Sequence, residues 1–164
     1  MNRTTTNEQT ASFTPVRKEI ELSCAPADAF RMFTAELGRW WPLRTHSLSG
    51  DRARGCGMEG ERGGHLYEID GDGARQVWGT IQLWEPPTRV VFTFHPGRDA
   101  ATAGTIEVRF TRSGSGCRVA LEHSGWELLG ERAAEMRRDY DQGWGEVFGR
   151  RFYEHAMGAG AAKA

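Results

Sequence analysis

The side chains whose types and spacing could carry chemistry are five histidines, a tyrosine and tryptophan four residues apart, and a few glutamates. His46, His65, His95, His123 and His155 form no HxH or HExxH pattern and pair with no cysteine, so no metal site is expected. There is no GxSxG, and Ser124 cannot use His123 as a positioned base, because neighbouring strand residues point to opposite faces. Gly55-x-Gly57, Gly71-x-Gly73 and Gly143-x-Gly145 lack the further glycine and the strand-to-helix setting of a phosphate loop. Counting by twos from Val119 puts His123 on the inward row of its strand. It is there either as a core histidine bonded to a carbonyl or as a polar contact for a ligand. Tyr140 and Trp144 share the apolar face of a helix, as core or as cavity wall. Gly143 and Gly145 flank Trp144, and each costs a helix about 1 kcal/mol relative to alanine, which points to close backbone approach or to room beside the helix. Arg137 and Arg151 fall at the edge of this stripe, with stems that snorkel or a guanidinium aimed at a ligand carboxylate. Glu59 and Glu61 read as a solvated strand face; a single inward carboxylate would be the natural acid or base of an enzyme.

These residues need elements to position them. Residues 130–155 carry the sustained helical period: Ala133, Met136, Tyr140, Trp144, Val147 and Phe148 recur at three- and four-residue steps, with Glu135, Arg138, Asp139 and Glu146 opposite. Such a helix is about 40 Å long. Residues 16–22 alternate as a strand with Val16, Lys18, Ile20 and Leu22 on one face. Pro26 and Asp28 open a helix that buries Ala29, Phe30, Phe33 and Leu37 and stops at Gly38. Residues 43–56 have little pattern, and a loop of that length is functional or mobile. Residues 58–69 read as two strands joined at Gly63-Gly64, and 70–73 as a hairpin turn. Over 76–94, Val77, Ile81 and Leu83 alternate with Trp78, Thr80 and Gln82; after Glu85-Pro86-Pro87, Val90, Phe92 and Phe94 resume. Residues 105–111 and 118–123 form a last hairpin about Gly114. One long helix lying across one curved antiparallel sheet is the economical packing.

Net charge is −1, with scattered arginines, so neither nucleic acid nor an anionic membrane is an expected partner. Three cysteines without CxxC spacing, Cys24, Cys56 and Cys117, suggest unpaired thiols and a cytoplasmic setting. No apolar run approaches a membrane span, and the N-terminal residues read as neither signal peptide nor anchor. The expected organisation is a polar tail over 1–14, a single domain over 15–157 and a short tail over 158–164.

Arg62-Gly63-Gly64, Trp78-Gly79-Thr80, Trp84-Glu85-Pro86-Pro87, residues 89–94 (RVVFTF), His123-Ser124-Gly125-Trp126 and Gly143-Trp144 occur in order and at regular spacing. Together they resemble the bacterial branch of the START-like (SRPBCC) superfamily whose domain is shared with the activator of the Hsp90 ATPase. The resemblance covers residues 16–155. It implies an α+β helix-grip fold, with six or seven curved antiparallel strands around the C-terminal helix and a cavity between them. It implies no universal catalytic residue and no cofactor. In such a fold Trp40, Trp41 and His46 cap the cavity mouth. Phe92, Phe94, His123, Tyr140 and Trp144 line the wall, and Trp41 and His46 complete the candidate ligand-binding set. Alternation sends Trp78 to the convex face, under a terminal segment or in a subunit contact such as a homodimer. The leading functional expectation is a binding module for a small hydrophobic or lipid-like molecule. The second is an enzyme of the polyketide cyclase/dehydrase type, with His123, Tyr140 or a glutamate as acid or base. The third, by fold analogy, is a chaperone-interacting domain of the Hsp90-activator kind.

Overall fold

The computed structural model describes residues 14–163. The N-terminal tail expected over 1–14 therefore lies, apart from Thr14, outside the described residues. Strand β1 (Val16–Leu22) is followed by helices α1 (Pro26–Thr34) and α2 (Leu37–Trp40). Strands β2 (Gly55–Met58), β3 (His65–Ile69), β4 (Arg75–Glu85), β5 (Arg89–Phe94), β6 (Gly104–Ser113) and β7 (Gly116–Ser124) come next. A short turn of 3₁₀ helix, Trp126–Arg132, leads into α3 (Ala133–Glu146), a π-helical segment (Val147–Phe152) and α4 (Tyr153–Lys163). The described strands make one antiparallel sheet in the order β1-β7-β6-β5-β4-β3-β2. It curls as a half-barrel around the C-terminal helix, the α+β helix-grip architecture.

The last hairpin pairs Thr105 with Ser124 through to Ser113 with Gly116, and Gly114 at φ 57° closes it. Its inward rows, Ile106, Val108 and Phe110 with Val119, Leu121 and His123, are all buried. Helix α1 plugs one end of the grip. Phe33 meets Trp40, Phe110, Phe148 and Phe152 with ring centroids 5.2–6.5 Å apart. Proline and an aspartate in its first turn start α1 as expected, but it ends at Thr34, before Gly38. Gly38 sits within α2 instead, where a Cβ would lie 2.6 Å from the Cys56 carbonyl oxygen, so it serves helix–strand approach rather than termination.

Strand β4 departs from simple alternation, and the departure relocates Trp78. Tyr67 pairs with Val77 but Leu66 with Gly79, so Trp78 is an extra residue in a bulge; a second irregularity falls between Ile81 and Leu83. The phase shift turns Trp78 and Trp84 to the concave side and leaves Val77 exposed, so the inward set Val77, Ile81, Leu83 is corrected to Trp78, Ile81, Trp84. Trp78 is 1% exposed within its own chain, not on a convex contact surface. Gly79 permits the bulge: a Cβ there would stand 1.7 Å from the Thr93 carbonyl oxygen.

The expected helix over 130–155 begins later and carries an inserted segment. Gly130, at φ 57°, breaks the chain before α3. Tyr140, Trp144, Phe148, Phe152 and Ala156 recur at strict four-residue steps and, Tyr140 apart, are fully buried. Four residues overshoot an α-helical turn by about 40° per step. The wider π turn undershoots, so its insertion at Val147–Phe152 keeps the five residues on one face. Arg137 is used at the start of the domain, donating to the carbonyls of Thr14 and Pro15. Arg151 lies at the surface near Glu146.

Candidate functional site

The C-terminal half of the grip is solid, because Phe148 and Phe152 stack at 5.8 Å and pack on Phe33. The other half holds a half-open cavity of about 280 Å³. Its walls come from three places. Trp78 and Phe94 rise from the sheet, Tyr140, Gly143, Trp144 and Val147 from the helix, and Trp41, His46 and Leu48 from the loop that follows α2. Trp41 is central, with ring centroids 5.0 Å from Trp78, 6.1 Å from Phe94 and 5.9 Å from Trp144.

Five of the expected residues, Trp41, His46, Phe94, Tyr140 and Trp144, thus surround one cavity. Phe92 and His123 do not. Phe92 is buried beneath Phe94, and His123 lies behind Tyr140, 5.0 Å between centroids. His123 is a structural hub. The Trp144 indole N–H donates to its Nδ1 at 3.0 Å and the Trp126 indole to its carbonyl oxygen at 3.0 Å. Its proton therefore sits on Nε2, which faces Gly104, where a Cβ would come within 2.6 Å. Burial pushes the His123 pKa down to about 3, with Arg98 acting in the same direction, so it is neutral at physiological pH.

The loop over 41–54 is tied down rather than loose. The Trp41 indole donates to the His46 carbonyl at 2.7 Å, and Gly50 N–H to Ser47 Oγ at 2.8 Å. Its main anchor is Glu68, fully buried on β3. Oε1 accepts from Leu48 N–H (2.7 Å) and from the Trp78 indole (2.9 Å), and Oε2 from Ser49 N–H (3.1 Å). Glu68, not Glu59 or Glu61, is the inward carboxylate. Glu59 is half-exposed beside His65 and Arg75. The HLYEI alternation of β3, with Leu66 and Glu68 on one face, was the signal for it.

Three titratable side chains line the cavity. The His46 pKa is lowered, chiefly by burial, with Glu146 opposing and Arg151 assisting. Its Nδ1 is 2.8 Å from Thr45 Oγ1. That hydroxyl also donates to the Pro42 carbonyl, so Nδ1 is assigned as donor and Nε2 keeps its lone pair, over Gly143. Asp139 lies at the rim. The Tyr140 hydroxyl accepts from Arg98, an arginine of the β5–β6 loop, at 3.4 Å. No two of the three are within hydrogen-bond reach of one another. Among the described residues no group of three or more His, Cys, Asp or Glu is placed to hold a metal. None of Cys24, Cys56 and Cys117 is in a disulfide. Burial pushes the Cys56 and Cys117 thiols up to about 12, which removes both as nucleophiles at neutral pH. Among the described residues no helix is long and apolar enough to cross a membrane.

Solved structures of other proteins share this fold. A protein of the bacterium Nitrosomonas europaea, NE0264, matches at 15% identity over 91% of this chain and 97% of its own, with a TM-score of 0.61. CalC of Micromonospora echinospora, a self-sacrificing resistance protein, matches at 23% identity over 92% and 98%, TM-score 0.66. An anthrahydroquino-γ-pyrone synthase, Txn09, solved in complex with a ligand, is 32% identical over 78% of this chain and 87% of its own, TM-score 0.54. A comparison with the curated proteins found no match. The family model described as activator of Hsp90 ATPase homolog 1-like protein matches residues 23–156, most of the chain. The protein therefore belongs to the activator of Hsp90 ATPase homolog 1-like family, within the START-like helix-grip proteins.

Proposed function

We propose that this protein binds a flat, largely apolar aromatic molecule between sheet, helix and the 41–54 loop. One observation carries the reading: four aromatic rings, Trp41, Trp78, Phe94 and Trp144, converge on a cavity with few polar groups. Its volume of about 280 Å³ falls just below the roughly 300–1,000 Å³ of small-molecule sites. Ring faces and edges at these separations offer stacking partners to a fused-ring ligand. The 32%-identical synthase, named for a fused aromatic product, supports the same ligand class.

Its name also favours a second reading, acid–base chemistry on such a molecule. Here His46 Nε2 would be the acceptor and Tyr140 the donor, at opposite roles within one cavity. The binding reading is tested by calorimetry with anthraquinone and with tetradecanoic acid. Anthraquinone is expected to bind with a negative heat-capacity change. Trp41→Ala, at a half-exposed position, should weaken it by about tenfold or more, equivalent to about 1.4 kcal/mol. Preference for the fatty acid, or no change in Trp41→Ala, would reject the proposal.

A further inference from the structure

Arg98 is a half-buried cation with no carboxylate partner. It stands in the loop between β5 and β6, and no ion pair involves it among the described residues, although seventeen close pairs occur elsewhere. Its guanidinium is instead directed by neutral oxygens. Nη1 donates to the Thr102 carbonyl (3.0 Å) and Thr102 Oγ1 (3.3 Å), and Nη2 to the Phe94 carbonyl (3.3 Å). The fourth contact is Nη2 to the Tyr140 hydroxyl at 3.4 Å. Four oxygens therefore fix the fork without neutralising it, and the last belongs to a residue of the cavity wall. Because Arg98 donates to Tyr140, the phenolic proton is not spent on it, and no described acceptor takes that proton. A hydroxyl whose lone pair faces a cation is a stronger donor than a free phenol, since the positive field favours charge moving onto its oxygen.

We infer that the cavity selects planar ligands that carry an ionised or strongly polarised oxygen, received by the Tyr140 hydroxyl with Arg98 behind it. This rests on the aromatic-binding reading and adds the polar half of the recognition. Oxygenated fused-ring molecules, phenolates and enolates of quinone-like carbonyls, are the chemical class. The other charged and titratable groups around the site fit this assignment. His123 behind Tyr140 is neutral, and burial holds His46 toward its neutral form. Asp139, the one lining carboxylate, is exposed at the rim where water screens it, and Glu146 and Arg151 act on His46 from the surface. The guanidinium is thus an uncompensated positive charge set directly behind the Tyr140 hydroxyl.

The test uses 2-hydroxyanthraquinone, whose phenolate absorbs at longer wavelength than its phenol, beside unsubstituted anthraquinone. With wild type, the bound dye should ionise at lower pH than the free dye, because the site favours the anion. Its anion should bind roughly ten- to a hundredfold more tightly than anthraquinone, the usual worth of a hydrogen bond to a charged group. Tyr140→Phe keeps the ring and should abolish that preference, so that the two dyes bind the variant with similar affinity. Arg98→Gln should raise the pH at which the bound dye ionises; since Arg98 also shapes its loop, Tyr140→Phe remains the deciding variant. If both dyes bind wild type equally, or if Tyr140→Phe leaves the ionisation pH of the bound dye unmoved, the inference falls and the aromatic site stands. If neither dye binds, both readings fall together.

Discussion

At the scale of single residues, His123 shows how a polar side chain in an apolar wall can be structural. Its Nδ1 receives the Trp144 indole N–H, so protonation at that nitrogen would set two donors against each other and leave a charge in the core. With its folded pKa depressed to about 3, the unfolded state binds the additional proton below the ordinary value near 6.5. The stabilising contribution is therefore complete above about pH 6.5 and lost as pH falls toward 3, by about 1.4 kcal/mol per pH unit at most. Urea unfolding of wild type and His123→Gln between pH 7 and 4 should give curves that converge on acidification. An unchanged gap would show that His123 titrates normally. Trp144→Ala removes a buried indole and orphans the same nitrogen, so we expect a loss of about 3–5 kcal/mol, as for a core aromatic, measurable by the same unfolding experiment.

At the scale of elements, α3 carries two glycines in different surroundings. Gly143 faces His46, whose Nε2 would lie 3.9 Å from a Cβ there, whereas a Cβ on Gly145 would meet nothing within 4 Å. Neither is a close backbone approach. Gly145→Ala should therefore stabilise the protein by about 0.5–1 kcal/mol through helix propensity alone, raising Tm by roughly 1–4 °C for a chain of this size; a fall in Tm would mean that the π segment needs that glycine. The helix was legible because its apolar residues recur over many turns. The inserted π turn was legible too, in principle, since Tyr140, Trp144, Phe148, Phe152 and Ala156 keep a four-residue step that no straight α-helix holds on one face. The β4 bulge was not, because alternation presumes an unbroken register, and Gly79 beside Trp78 was its local sign. The inward side of Glu68 was readable in the β3 alternation, but its partners Leu48, Ser49 and Trp78, and the Tyr140 partner of Arg98, are ten or more residues away, and no local pattern encodes those contacts.

At the scale of the whole molecule, the two halves of the grip divide labour: Phe33, Phe148 and Phe152 close one end, and the tied loop frames the other. The buried carboxylate of Glu68 couples the mouth to the sheet through the Trp78 indole, so the cavity is largely preformed and association should need little ordering. The cavity wall is at the same time the protein's own lamp. Three of its six tryptophans, Trp41, Trp78 and Trp144, border the cavity, and Trp41 is within 6 Å of the other two, ring centre to ring centre. Excitation absorbed by one indole is readily passed to its neighbours at such separations. A fused-ring guest that absorbs where indoles emit would drain these three most strongly, and with them Trp40, 5.8 Å from Trp41 between ring centres. Titration with an anthraquinone should accordingly dim and blue-shift the emission to a saturating plateau, reporting occupancy without any added label.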